Sequence, residues 1–157
     1  MKGWYRDSIS FQLLRAARMH RTRAAELLGE IDLHPGQENV LLLLSEVDSQ
    51  PMTLLAESMG VQPPTVTKMI ARMSAQGLVT RTASNDDGRK FYVALTDEGR
   101  RSVKSVKKLW KTLEKEAITE LGKDDRKHLA TMLREMASAL AGEKTRTKKT
   151  KKKFKAG

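Results

Sequence analysis

From Ser8 to Ile31 the apolar side chains Leu13, Ala17, Ala24, Leu27, Leu28 and Ile31 recur at three-, four- and seven-residue spacings. That period predicts one long helix with a single apolar stripe. Arg15, Arg18, Arg21 and Arg23 fall largely off the stripe. Pro35 stands where a second helix is expected to begin, in a first turn where its missing N–H costs nothing. Asn39 to Val47, with Val40-Leu41-Leu42-Leu43-Leu44 inside it, is apolar almost all round. This helix is therefore expected at the buried centre of the fold, until Ser49-Gln50-Pro51 breaks it.

Thr53 is expected to cap a short third helix through Met59, which Gly60 ends in a left-handed conformation. Gln62-Pro63-Pro64 opens a fourth helix that runs to about Gln76, where Gly77 stops it. Leu78 to Thr82 and Lys90 to Leu95 alternate as strands, and Ser84-Asn85-Asp86-Asp87-Gly88 is the turn cluster that joins them into a hairpin. Thr96, followed by Asp97-Glu98, caps a fifth helix and places acids against its positive end. Its apolar face is Val103, Val106, Trp110, Leu113, Ala117 and Leu121, and Gly122 ends it. Asp124-Asp125 starts a sixth helix striped by Leu129, Met132, Leu133, Met136 and Leu140.

The predicted fold is mainly α with a small β-hairpin wing. It is a winged helix-turn-helix plus an α-helical dimerisation arm from the N- and C-terminal helices. Residues 1–142 form one domain, with 34–96 as the winged head and 8–33 and 97–141 as the dimerisation helices. Residues 143–157 form a Lys-rich tail, too polar and too charged to fold. The end helices carry more apolar stripe than one small head can cover, and a homodimer that interleaves them would bury it.

Charge sharpens this picture. The 157 residues hold 30 Lys+Arg against 19 Asp+Glu, a net +11. Residues 143–157 carry eight basic side chains against Glu143 alone, so they hold +7 and leave residues 1–142 at +4. The folded part must therefore place its charge rather than merely accumulate it. The absence of cysteine removes disulfides, thiol redox sensing and Cys-ligated zinc. Three scattered His residues make no metal site, and no cofactor is expected. No apolar run approaches the ~20 residues of a membrane span and no signal-peptide pattern opens the chain. No membrane partner is expected; the protein is expected in the cytoplasm, associated with the nucleoid.

A helix-turn-helix needs a small residue where its helices cross, a turn residue tolerant of positive φ, and apolar residues that lock the second helix. Ala56, Gly60 and the set Leu55, Met59, Val61, Val66 and Met69 meet those needs. On the second helix Val66, Met69, Ile70 and Met73 face inward. Gln62, Thr65, Lys68 and Arg72 then face outward, with Thr67 at the margin. Gln, Thr, Lys and Arg suit major-groove work on double-stranded DNA, either on base edges or on phosphates, and the pattern leaves that choice open for each. A solvated polar face is the ordinary use of such residues; the hairpin that follows decides for DNA. Arg89, just past the Asp87-Gly88 turn, can enter a minor groove, and Asp87 is suited to holding Arg89, Lys90 or Arg81.

These residues resemble the MarR family of bacterial transcriptional regulators over roughly residues 8–141. The matching pieces are Leu55-Ala56, Val66 to Met73, Gln76-Gly77-Leu78-Val79, Arg81, Asp87-Gly88-Arg89 and Leu95 to Gly99. The resemblance implies a homodimeric winged-helix repressor, or less often an activator, on a palindromic operator, in many members released by a small, often aromatic and anionic, ligand. Carried over, Thr65, Thr67, Lys68 and Arg72 enter the major groove and Arg89 the minor groove. Tandem Pro63-Pro64 departs from the small polar residues common there and removes two N–H donors. The Lys-rich tail lies outside the family pattern.

A ligand pocket is expected between arm and head. Arg15, His20 and Trp110 are its candidate residues, although packing within helix stripes is the plainer reading of His20 and Trp110. The competing function class is an architectural DNA-binder that uses the basic tail without sequence preference. An enzyme is not expected, because the chain shows no nucleophile–base pairing, metal-ligand cluster or phosphate-cradling Gly loop.

Overall fold

A computed structural model describes residues 3–83 and 91–142. Among these residues the element order is α1 (Ile9–Gly29), α2 (Gln37–Leu44), β1 (Gln50–Pro51), α3 (Met52–Met59), α4 (Pro63–Ala75), β2 (Val79–Ala83), β3 (Phe91–Leu95), α5 (Asp97–Ala117) and α6 (Lys123–Leu140). The chain divides into two compact units, one through Ala117 and one from Ile118.

In the first unit the core forms where the stripes predict it. Val40, Leu41 and Leu44 of α2, Leu55 of α3, Ile70 and Met73 of α4, and Val106 of α5 have no exposed surface. Leu27 and Leu28 of α1 close the same cluster. Burying one such side chain is worth about 1.5–3 kcal/mol, so this cluster dominates the stability of the unit. Ser8 caps α1 by accepting from the Phe11 N–H at 3.2 Å.

Several helix boundaries differ from the sequence expectation, each for a local reason. Pro35 lies outside α2, because Gly36 (φ 97°) is the N-cap residue and turns the chain into the helix. Thr53 lies inside α3, whose N-cap is Pro51 with no side-chain cap bond. α5 stops at Ala117 rather than reaching Leu121, and the turn before α6 begins there.

The segment Gln50–Pro51 does more than break a helix. It forms β1, an edge strand paired antiparallel to β3 with Gln50 opposite Val93. The sheet therefore has three strands in the order β1-β3-β2. β2 and β3 pair from Val79↔Leu95 to Ala83↔Phe91, in the register of a hairpin.

The end of α4 is locked to the start of α5. Gly77 (φ 73°) ends α4, and the Leu78 N–H returns to the Met73 carbonyl at 2.9 Å. The Thr96 hydroxyl donates to the Gly77 carbonyl at 2.6 Å and accepts from the Gly99 N–H at 3.0 Å. Its backbone N–H donates to the Leu78 carbonyl at 3.1 Å. Gly99 lies so close to this strand start that a Cβ there would sit 2.1 Å from the Leu78 carbonyl oxygen.

α1 is tied to α5 by Arg23, whose guanidinium donates to both carboxylate oxygens of Glu116 at 2.8 and 3.0 Å. Those hydrogen bonds, with charge attraction behind them, hold the Glu116 carboxyl below the usual carboxylate range. In the second unit, Gly122 is the N-cap of α6 and Asp124 and Asp125 fill its first turn. None of the residues of α6 is buried, and Met132, Leu133 and Leu140 are exposed.

Candidate nucleic-acid interface

α4 is fixed by its inward face. Val66, Ile70 and Met73 are buried at three- and four-residue spacing, and Met69 packs half-buried beside them. That spacing forces Gln62, Thr65, Thr67, Lys68 and Arg72 outward, and all five are exposed. α3 crosses behind through Leu55 and Ala56, both buried. Gly60 (φ 63°, ψ 32°) ends α3, and the Val61 N–H reaches back to the Ala56 carbonyl at 3.1 Å. Only Gly takes that backbone conformation at no steric cost.

The exposed side chains of α4 border two surface clefts. One, of about 220 Å³, runs between α4 and the loop before α2, lined by His34, Pro35, Gln37, Thr65, Lys68, Met69 and Arg72. The other, of about 320 Å³, opens toward the sheet between Pro51, Met52, Thr53, Pro63, Thr67, Arg81 and Phe91. Thr67 thus stands on the sheet side of α4, and its hydroxyl donates to the Pro63 carbonyl at 3.0 Å. Arg81 and Phe91 lie diagonally across β2 and β3, with the guanidinium 4.6 Å from the ring centroid. An exposed contact of that kind is worth ~0.5–1 kcal/mol and orients the cation.

The expected wing residues Asp87, Arg89 and Lys90 lie outside the described residues, as does the tail 143–157. The remaining sequence candidates divide. His20 of α1 stacks on Trp110 of α5, with ring centroids 5.7 Å apart at 29°. The Trp110 Nε1 atom is buried without a hydrogen-bond partner among the described residues. Arg15 is exposed on α1, and no hydrogen bond or ion pair among the described residues joins it to that pair.

Sequence reasoning missed His34 and Gln37. Gln37 is buried, donates from Nε2 to Gln76 Oε1 at 2.8 Å, and accepts from the His34 N–H at 2.9 Å. Neither residue sits in a periodic pattern. The only available signal was Gln37 itself, the first of three polar residues that open a helix whose remainder is apolar.

A helical pair joined at a glycine turn, with a third helix behind it and an antiparallel hairpin after it, is a winged helix-turn-helix. A family model described as the MarR family matches residues 33–91. The structure of the transcriptional repressor CouR bound to a 23-mer DNA duplex aligns with a TM-score of 0.79 and 30% identity, covering 87% of this chain and 97% of that one. An Escherichia coli MarR variant in complex with operator DNA shares the fold, with a TM-score of 0.74 at 21% identity over 86% of this chain and 99% of that one. The organic hydroperoxide resistance transcriptional regulator of Bacillus subtilis (strain 168) is 30% identical over 93 residues, 59% of this chain and 63% of that protein. The homoprotocatechuate degradative operon repressor of Escherichia coli matches to the same extent, 30% over 93 residues with the same coverage. The match thus spans less than two thirds of these two curated relatives. The chain belongs to the MarR family, and these relatives are transcriptional regulators.

Proposed function

We propose that this protein is a sequence-specific regulator of transcription that binds a palindromic operator in double-stranded DNA as a homodimer and acts as a repressor. The observation that carries the reading is the face of α4. Its apolar side is fixed in the core, and Gln62, Thr65, Lys68 and Arg72 project outward as a row of donors. The 30% identity to CouR, solved on a DNA duplex, supports the same use of this face.

A two-fold dimer suits paired half-sites. The apolar residues Ile9, Leu14 and Met19 of α1 and Met132, Leu133 and Leu140 of α6 are exposed in the single chain, and a second copy would cover them. No helix among the described residues is long and apolar enough to cross a membrane, in keeping with action in the cytoplasm, at the nucleoid. Release by a small aromatic anion is part of the same reading, with the α1–α5 contact around His20 and Trp110, and Arg15 nearby in sequence, as the place to look. A thiol-based response to oxidants is closed to a chain with no cysteine.

Fluorescence anisotropy of the protein on its own upstream DNA and on scrambled DNA, across a salt series, tests this. Strong preference for the upstream DNA, titrating as one dimer per site, is the expected result. Equal affinity for both would favour an architectural DNA-binder instead.

A further inference from the structure

We propose that the cleft between α4 and the loop before α2 is a seat for one DNA phosphate, with His34 as an anchor beside Lys68 and Arg72. The inference rests on the DNA-binding reading and says which contact each of these side chains makes.

Three observations converge on it. First, the start of α4 offers phosphate few backbone donors. Its first two residues are Pro63 and Pro64, which have no N–H, and the next N–H, that of Thr65, is bonded to the Gln62 carbonyl at 2.9 Å. A helix N-terminus ordinarily supplies such donors; here side chains must.

Second, the cleft concentrates donors of one kind. Lys68 and Arg72 stand one helical turn apart on its α4 wall, Thr65 lies a turn before them, and His34 faces them from the loop. Among the described residues, no carboxylate lines it. Third, the loop is held. The His34 N–H is fixed by Gln37, which is itself bonded to Gln76 just past the end of α4. Gly36 (φ 97°) lies against the Met69 methyl, where even a Cβ would come within 2.7 Å. The backbone that carries His34 is thus tied to the helix that carries Lys68 and Arg72, and an ordered loop loses little entropy on binding.

Phosphate contacts position a protein on DNA without reading sequence. The test is anisotropy on upstream and scrambled duplexes over a salt series. Lys68→Ala and Arg72→Ala should each weaken the two duplexes by the same factor, and the variant lacking both should reduce the slope of log K against log salt by about 0.9 for each phosphate seat lost. His34→Ala should weaken both by the same factor, about 10-fold or more, the worth of one hydrogen bond to a charged acceptor. Its backbone bond to Gln37 survives the substitution, so the fold should too.

Losses confined to the upstream duplex would make Lys68 and Arg72 base readers and overturn the seat. A His34→Ala protein that binds both duplexes as the parent does would overturn it equally. If the parent shows no preference between duplexes, the regulator reading fails, yet uniform losses in the three variants would still support the seat.

Discussion

Gln37 and Gln76 form a side-chain bridge that joins the start of α2 to the residue capping α4, 39 positions along the chain, at 2.8 Å. The geometry fixes the orientation of both amides. Gln37 Oε1 must face the His34 N–H, so its nitrogen meets Gln76 and the Gln76 oxygen must accept. One buried amide therefore sets the distance between the loop carrying His34 and the helix carrying Lys68 and Arg72.

Gln37→Leu fits a similar volume but strands the groups that the amide satisfied. We expect a loss of ~1–3 kcal/mol in urea unfolding. The penalty should shrink when Gln76→Leu is already present, because the two residues share one bond. Strict additivity of the two variants would show that the bridge contributes nothing.

Gly99→Ala should be among the most damaging conservative changes in the first unit. The added methyl would overlap the Leu78 carbonyl oxygen, which is backbone and cannot rotate away. Overpacking typically costs ~1–3 kcal/mol, and this site belongs at or above the top of that range. Thermal unfolding reads it out, and an unchanged midpoint would mean that the junction moves freely.

Glu38 is buried at the entrance of α2, and its carboxylate accepts from the Gly36 N–H at 2.6 Å. Burial raises its pKa above the usual carboxylate value, with the backbone hydrogen bonds opposing. An acid whose folded pKa is raised binds protons more tightly in the folded state. Its favourable contribution is complete below the unfolded pKa and is lost as pH rises through the folded one. Glu38→Gln should therefore flatten the fall in stability above about pH 4. Urea midpoints over that range check it, and parallel pH curves for parent and variant would contradict it.

Asp87, Gly88 and Arg89 lie outside the described residues, and the role expected of them comes from their order in the sequence. Arg89→Ala should weaken binding to the upstream duplex substantially and leave the dimer intact by light scattering. Unaltered affinity would remove the minor-groove role.

Removing residues 143–157 takes away +7 of charge. The salt slope should become shallower while the preference for upstream over scrambled DNA persists. An unchanged slope would separate the tail from DNA binding.

Much of the fold is written in apolar spacing. Val66, Ile70 and Met73 alone orient α4, so the identity of its outward residues follows from counting. Gly60 and Gly77 mark helix ends because few other residues take positive φ. Interactions that join distant segments are a different matter. β1 is two residues long and exists only because β3 pairs with it, and no period can register in Gln50–Pro51. Likewise the Gln37–Gln76 bridge and the stacking of His20 on Trp110 depend on how helices meet in space. His20 and Trp110 were legible as stripe residues, but their contact was not. Thr53 looked like a cap because Thr often is one, yet Pro51 already supplies the extended backbone that starts α3.

The Thr96 hydroxyl has a consequence for anyone who would transplant the reading helix. By gripping Gly77 on one side and Gly99 on the other, it makes the last turn of α4 and the first turn of α5 a single joint. Val103 and Val106, one and two turns further on, plug the same core that holds Ile70. A graft that stops where the hairpin ends would carry the letters of the reading helix without the hinge-pin and wedge that aim it. The smallest portable piece of this protein runs on into α5, at least as far as Val106.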